Sequence, residues 1–156
     1  MTTPATLALA RHGATFSLHT YDYDPGADRV GLQAAQALAE PARRVLKTLM
    51  TRVDGKPVCV VLRSDLEVGM KPLARAMGGR AAQMMTPADA ERLTGYRVGG
   101  ISPFGQKRAS PVIVDALALE EPYVFVNGGQ RGLQARLSPQ DLVSALGALV
   151  VAVAAP

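Results

Sequence analysis

The stretch 43-RRVLKTLMTRVDGKPVCVVLR-63 decides how the rest of the chain can fold. Two β-type runs, 43–53 and 57–63, flank Asp54-Gly55. An Asp-Gly pair between such runs signals a tight hairpin, because both residues accept the positive φ that the turn demands. One lysine interrupts the first run. In a strand, residues two apart share a face, so Lys47 lies beside Val45 and Leu49 while Leu46, Thr48 and Met50 face the other way. Both faces are largely apolar, which predicts that both are covered. Two readings of Lys47 stand at this point. Its stem can lie on apolar neighbours with its head in water. Alternatively, the strand delivers a cation into a pocket, where carbonyls, a carboxylate or an anionic ligand must receive it.

Outward from the hairpin, helix starts repeat one pattern. Thr86-Pro87-Ala88-Asp89 and Ser138-Pro139-Gln140-Asp141 each place a capping hydroxyl, a proline at the first helical position and an acid at the third. Each residue suits the unpaired amides and positive end of a helix start. Thr3-Pro4 opens a first helix that Gly13 closes, and further helices fit 31–40 and 70–79. Strands fit 15–23, 81–85, 111–115 and 123–127, and the apolar 147-GALVVAV-153 reads as a buried final strand. Helices and strands interleave without a regular βαβ period, and one hairpin is antiparallel. A mixed α/β sheet is therefore expected, not a doubly wound parallel one.

The 156 residues are most simply one domain, long enough to bury a core without staples. Lys plus Arg exceeds Asp plus Glu by 17 to 13, a net +4 that permits an anionic partner without demanding one. The single cysteine, Cys59, rules out internal disulfides and any CxxC motif, and the two histidines make a His-based metal cage unexpected. No metal or cofactor is expected. The N-terminus lacks a signal-peptide pattern, and the apolar C-terminal stretch is well short of the roughly 20 residues that span a bilayer. A cytoplasmic protein with no membrane partner is expected.

Two glycine-rich loops stand out. In 98-VGGISPFGQKR-108 the glycines let backbone approach a ligand and present its amides, though a tight surface turn would use the same residues. The stretch 127-NGGQRGL-133 follows an apolar strand and reads equally as a hairpin or as a second binding loop. Neither matches a GxGxxG or GK[ST] nucleotide motif. Cys59, in the apolar run 58–61, reads as an inert core thiol. Ser102 lacks a GxSxG elbow, so a serine hydrolase is unsupported. Glu120 and Glu121 read as solvated loop acids.

Taken together, 16-FSLHTYDYDP-25, 45-VLKTLM-50, 95-GYRVGGISPFGQK-107 and 128-GGQRGLQ-134 resemble the bacterial YbaK-type aminoacyl-tRNA deacylases, relatives of the editing domain inserted in bacterial prolyl-tRNA synthetases. The resemblance runs from Thr3 to about Val150 with the motifs in the same order. It implies a curved, largely antiparallel mixed sheet surrounded by helices. It implies trans-editing of mischarged tRNA, for this branch removal of cysteine from Cys-tRNA(Pro) and by extension from Cys-tRNA(Cys).

By the same resemblance Lys47 matches the essential strand lysine. Gly99, Gly100, Ile101, Ser102 and Pro103 match the loop that holds the aminoacyl ester by backbone amides. Tyr21 and Val30 match positions near the substrate side chain. Gly128, Gly129 and Arg131 match the second glycine segment, in which Gln130 replaces a lysine common among relatives. The implied chemistry is attack by the substrate's own thiol on its carbonyl, with amides of residues 100–102 facing the oxyanion. The implied partners are the acceptor end of aminoacyl-tRNA and, transiently, prolyl-tRNA synthetase; DNA is not expected. A deacylase for another small ester such as Ala-tRNA(Pro), and a non-catalytic RNA- or synthetase-binding module, remain alternatives.

Overall fold

The computed structural model of the protein describes residues 2–26 and 30–155. The Asp54-Gly55 hairpin forms as expected. Strands β2 (Leu46–Val53) and β3 (Lys56–Arg63) pair antiparallel, with Asp54 and Gly55 both at positive φ. β3 is the central strand. It also pairs in parallel with β5 (Val112–Asp115), which pairs in parallel with β8 (Leu149–Val151). On the other side of the hairpin, β2 pairs with the short β4 (Ala82–Met84). Val58 to Leu62 are all buried, the pattern of a strand covered on both faces. Each of those Val and Leu side chains contributes about 1.5–3 kcal/mol by leaving water.

A second sheet places β7 (Leu133–Leu137) between β1 (Phe16–Thr20) and β6 (Val124–Asn127), antiparallel to both. A parallel bridge from Val45 to Phe125 joins the two ladders. The architecture is thus mixed α/β with four of six strand pairings antiparallel, as expected. The division into two sheets and the strand β7 were not. Residues 133–137 escape sequence reading because glycines crowd their start and Gln134 and Arg136 dilute the apolar pattern.

The helices sit close to the expected positions. α1 (Pro4–His12) starts at Thr3, whose hydroxyl accepts the Thr6 amide, and ends at left-handed Gly13. α4 (Pro87–Thr94) and α5 (Pro139–Leu146) start at Thr86 and Ser138 with the same hydroxyl-to-amide caps. α2 (Val30–Ala37) and α3 (Met70–Ala76) are shorter than expected.

Strand parity holds around the hairpin. Leu46, Met50, Cys59 and Val61 pack into one core with Ala5, Leu9, Phe104 and residues of the second sheet. Leu49 joins Val53, Val58, Val60 and Leu62 in a second core under α3.

Three expectations are corrected. Arg43 and Arg44 lie in a 3-10 turn (Ala42–Arg44), not in the strand. Glu121 is not a solvated loop acid: it accepts Arg44 Nε at 2.8 Å and Arg43 Nε at 3.1 Å, with its side chain only 14% exposed. The final strand is not buried. Leu149 is half exposed, and the burial falls on Val153 beyond the strand. Among the described residues no helix is long and apolar enough to cross a membrane.

Candidate active site

β4 pairs only with Thr51 to Val53, and the last bond on that side runs from the Met85 amide to the Met50 carbonyl. The outer edge of β2 from Leu46 to Thr48 is therefore free of β4, and a cavity of about 370 Å³ opens against it. For this reason five consecutive residues, Leu46 to Met50, line the cavity, where a strand face would offer alternate ones. Met84, Met85, Pro87 and Ala90 form an apolar wall from β4 and α4, and Val98, Gly99 and Ile101 form another. Val30 and Gly31 enter from the start of α2. A Cβ at position 31 would fall 2.5 Å from that of Ser64, so only glycine lets the helix approach so closely.

Lys47 lies on the cavity wall with its side chain 18% exposed, and its Nζ reaches Glu67 Oε1 at 3.2 Å. Its stem lies in the cavity wall and its head meets the carboxylate of Glu67, whose side chain is 68% exposed.

The two glycine loops are joined behind the cavity. Asn127, at the end of β6, donates from Nδ2 to the Gly99 carbonyl at 3.1 Å and accepts the Gly129 and Gln130 amides on Oδ1 at 2.7 and 3.2 Å. Arg131 donates to the Val98 carbonyl at 2.9 Å, and its guanidinium lies 5.2 Å from the Tyr23 ring centroid. A Cβ on Gly100 would fall 2.8 Å from the Arg131 nitrogen, and one on Gly99, which sits at φ +90°, would strike the Tyr23 hydroxyl. Thr3 Oγ1 donates to the Gly128 carbonyl at 2.6 Å, tying α1 to the same junction. The loop 98–108 is not a surface turn. Gly100, Ser102, Pro103 and Phe104 are buried. Tyr96 donates to the Phe104 carbonyl at 2.5 Å, and burial pushes its phenol up to about 12.

Of the residues anticipated from sequence, Lys47, Val30, Gly99 and Ile101 line the cavity. Tyr21, Gly100, Ser102, Pro103, Gly128, Gly129 and Arg131 do not; they belong to the layer that supports its walls. Ser102 is fully buried, with its hydroxyl accepting the Phe104 amide at 3.2 Å. The Gly100 amide is committed to the Arg97 carbonyl at 2.8 Å. The Ile101 and Ser102 amides have no hydrogen-bond acceptor among the described residues. Asn127, Glu67 and Gln134 line the cavity and were missed. Only Asn127 left a signal, as a polar residue ending an apolar strand just before two glycines.

The sequence profile described as "Aminoacyl-tRNA editing domain" matches residues 24–145. An Enterococcus faecalis protein, EbsC, named as a proposed Cys-tRNA(Pro)/Cys-tRNA(Cys) deacylase, is 33% identical over 127 residues, covering 80% of this chain and 77% of its own. A proline–tRNA ligase of Acidithiobacillus ferrooxidans is 33% identical over 95 residues, 61% of this chain, which spans only 16% of the ligase. A crystal structure described as a proposed trans-editing enzyme for prolyl tRNA synthetase superposes with a TM-score of 0.83 at 23% identity, covering 100% of this chain and 99% of the other. With more than half of its length matched by the profile, and with a relative of this identity and coverage, the chain belongs to the aminoacyl-tRNA editing domain family.

Proposed function

We propose that the protein removes cysteine from mischarged Cys-tRNA(Pro), acting in trans in the cytoplasm to protect the fidelity of translation. The observation that carries this reading is Lys47, an ammonium held by Glu67 on the wall of a small, mainly apolar cavity against Gly99 and Ile101. An aminoacyl ester is already activated, so the site has to orient it and stabilise an oxyanion. The Ile101 amide, on the cavity wall, is an uncommitted donor suited to that oxygen. Lys47 holds the terminal adenosine by its phosphate or ribose and stabilises the departing ribose oxygen. The substrate thiol attacks its own carbonyl: a C–S bond forms, the ester C–O bond breaks, and the thiol proton ends on the ribose oxygen. The products are a thiolactone and free tRNA. No protein nucleophile is needed, in keeping with a buried Cys59 and a buried, hydrogen-bonded Ser102. A net charge of +4 suits contact with an acceptor end better than with a whole tRNA, so transient help from prolyl-tRNA synthetase is part of the proposal.

The test compares cysteinyl-tRNA(Pro) with alanyl-tRNA(Pro), with and without synthetase. Rapid release of cysteine and slow release of alanine are expected, and Lys47→Ala is expected to lose at least a hundredfold in rate while melting cooperatively. Equal turnover of the alanyl ester would reject the thiol-assisted route and favour hydrolysis. Full activity in Lys47→Ala would remove the lysine from the mechanism. No turnover of any mischarged tRNA would leave a binding module.

A further inference from the structure

The cavity has two unlike sides. Lys47, Glu67 and Asn127 make one of them polar. The other is built along α4 and is apolar. Pro87 and Ala90 are three residues apart, so they lie on one face of that helix. Val98 is pinned beside them, because its amide donates to Oε2 of Glu91, the residue after Ala90, at 2.9 Å. Met84 precedes the helix on β4. All four line the cavity, yet only Ala90 is buried, so the other three stand at its mouth. Met84 is 48% exposed and Val98 40%, two of only four large apolar side chains left so exposed among the described residues. Apolar side chains gathered bare at the mouth of a site mark a surface that a ligand covers.

The reacting end of the substrate offers one group that fits. A cysteinyl side chain is a single methylene and a thiol, too small to cover this surface, and the ribose and ester are polar. The base is large and flat, with its polar groups at the edge and a π-face on either side. It is joined to the same ribose as the ester, so it lies at the mouth when the ester carbonyl lies beside Ile101. A polarizable thioether such as that of Met84 packs favourably on aromatic rings. We infer that Met84 and Val98 take the terminal adenine of aminoacyl-tRNA by apolar contact with its face. The inference rests on the deacylase reading and extends it to a part of the substrate away from the reacting carbonyl. Every tRNA ends in the same nucleoside, so this contact is blind to tRNA identity. It holds the ester in place for reaction and leaves the choice of tRNA to other contacts.

Stable probes separate this inference from the reading it rests on. They are the cysteinyl amide of 3′-amino-3′-deoxyadenosine, its purine counterpart lacking the 6-amino group, and a counterpart with hydrogen in place of the base. Wild-type protein is expected to bind the first two alike, each about tenfold more tightly than the base-free probe. Met84→Ala combined with Val98→Ala should bring that ratio near one by weakening the base-bearing probes alone. If the double variant fails to melt cooperatively, Met84→Gln decides the matter: it keeps the length of an exposed side chain and should weaken only the base-bearing probes, by about threefold. A wild-type ratio of one, or an equal loss for all the probes in the variants, would overturn the inference. So would a purine probe that binds no better than the base-free one, which would assign the base to hydrogen bonds at its edge. Deacylation of Cys-tRNA(Pro) is followed in parallel. Absent turnover with the base-dependent ratio intact sinks the deacylase reading and spares the base contact; turnover with a ratio of one does the reverse.

Discussion

Cys59 shows how far a residue's chemistry follows from its neighbours in the chain. It sits between Val58 and Val60 at the centre of β3, fully buried, and burial pushes its thiol up to about 12. Since the thiolate is the reactive form, maleimide labelling at pH 7.5 is expected to be negligible in the native protein and complete in denaturing urea, read by intact mass. Native labelling within minutes would contradict the packing of β3. An apolar run sufficed to anticipate this inertness. Lys47 lies in a similar run and could not be read that way, because its surroundings are set by Glu67, 20 residues later, and by an open strand edge. Glu67 and Gln134 had no sequence signal at all: one is an unremarkable loop acid and the other a polar residue in a strand that the sequence did not reveal.

At the scale of elements, Asn127 joins β6 and its hairpin to the 98–108 loop. One side chain satisfies three backbone groups of two segments nearly thirty residues apart. Asn127→Ala removes the shared partner and is expected to cost about 1–3 kcal/mol in urea unfolding, the penalty for buried groups left unpaired. It should also slow single-turnover deacylation at least tenfold, because Gly99 and Ile101 lose their anchor. Asn127→Asp keeps the two acceptor contacts and loses only the donor to Gly99, so it should fall between the two. A stability loss without any loss of rate would mean that the junction supports the fold and not the site. Helix starts were legible at this scale because a cap is a local device, its donor and acceptor three residues apart. The pairing of β7 between β1 and β6 was not, since neither partner's apolar pattern says which strand it will meet.

For the whole molecule, ionised carboxylates hold both neighbouring residues and distant segments in place. Arg44 holds Glu121 below its usual pKa, backbone amides of Ala81 and Arg80 do the same for Asp54, and Arg63 does so for Asp65. A depressed folded-state pKa means that the unfolded chain binds protons more readily. The stabilisation is therefore fully present above the ordinary carboxylate range, near 4 to 4.5, and is lost as pH falls through the lower folded values. The melting temperature should be flat from pH 8 to about 5 and should drop progressively below about 4. Glu121→Gln should start lower at pH 7 and show a shallower acid decline. An unchanged acid profile in that variant would remove the Arg43–Arg44–Glu121 contact from the acid response.

By itself the sequence determined what local forces decide: the Asp-Gly hairpin, the capped helix starts, the two-sided burial around 45–53, and the inert thiol. Each depends on residues within a few positions of one another, so pattern and propensity are enough. Tertiary structure decided what depends on meetings across the chain. It divided the strands into two bridged sheets, opened the edge of β2 into a cavity, and set Glu67 against Lys47. It also turned most of the anticipated glycine-loop residues into supports for the wall. The physical reason is that a hydrogen bond or an ion pair is short-ranged in space but indifferent to separation along the chain.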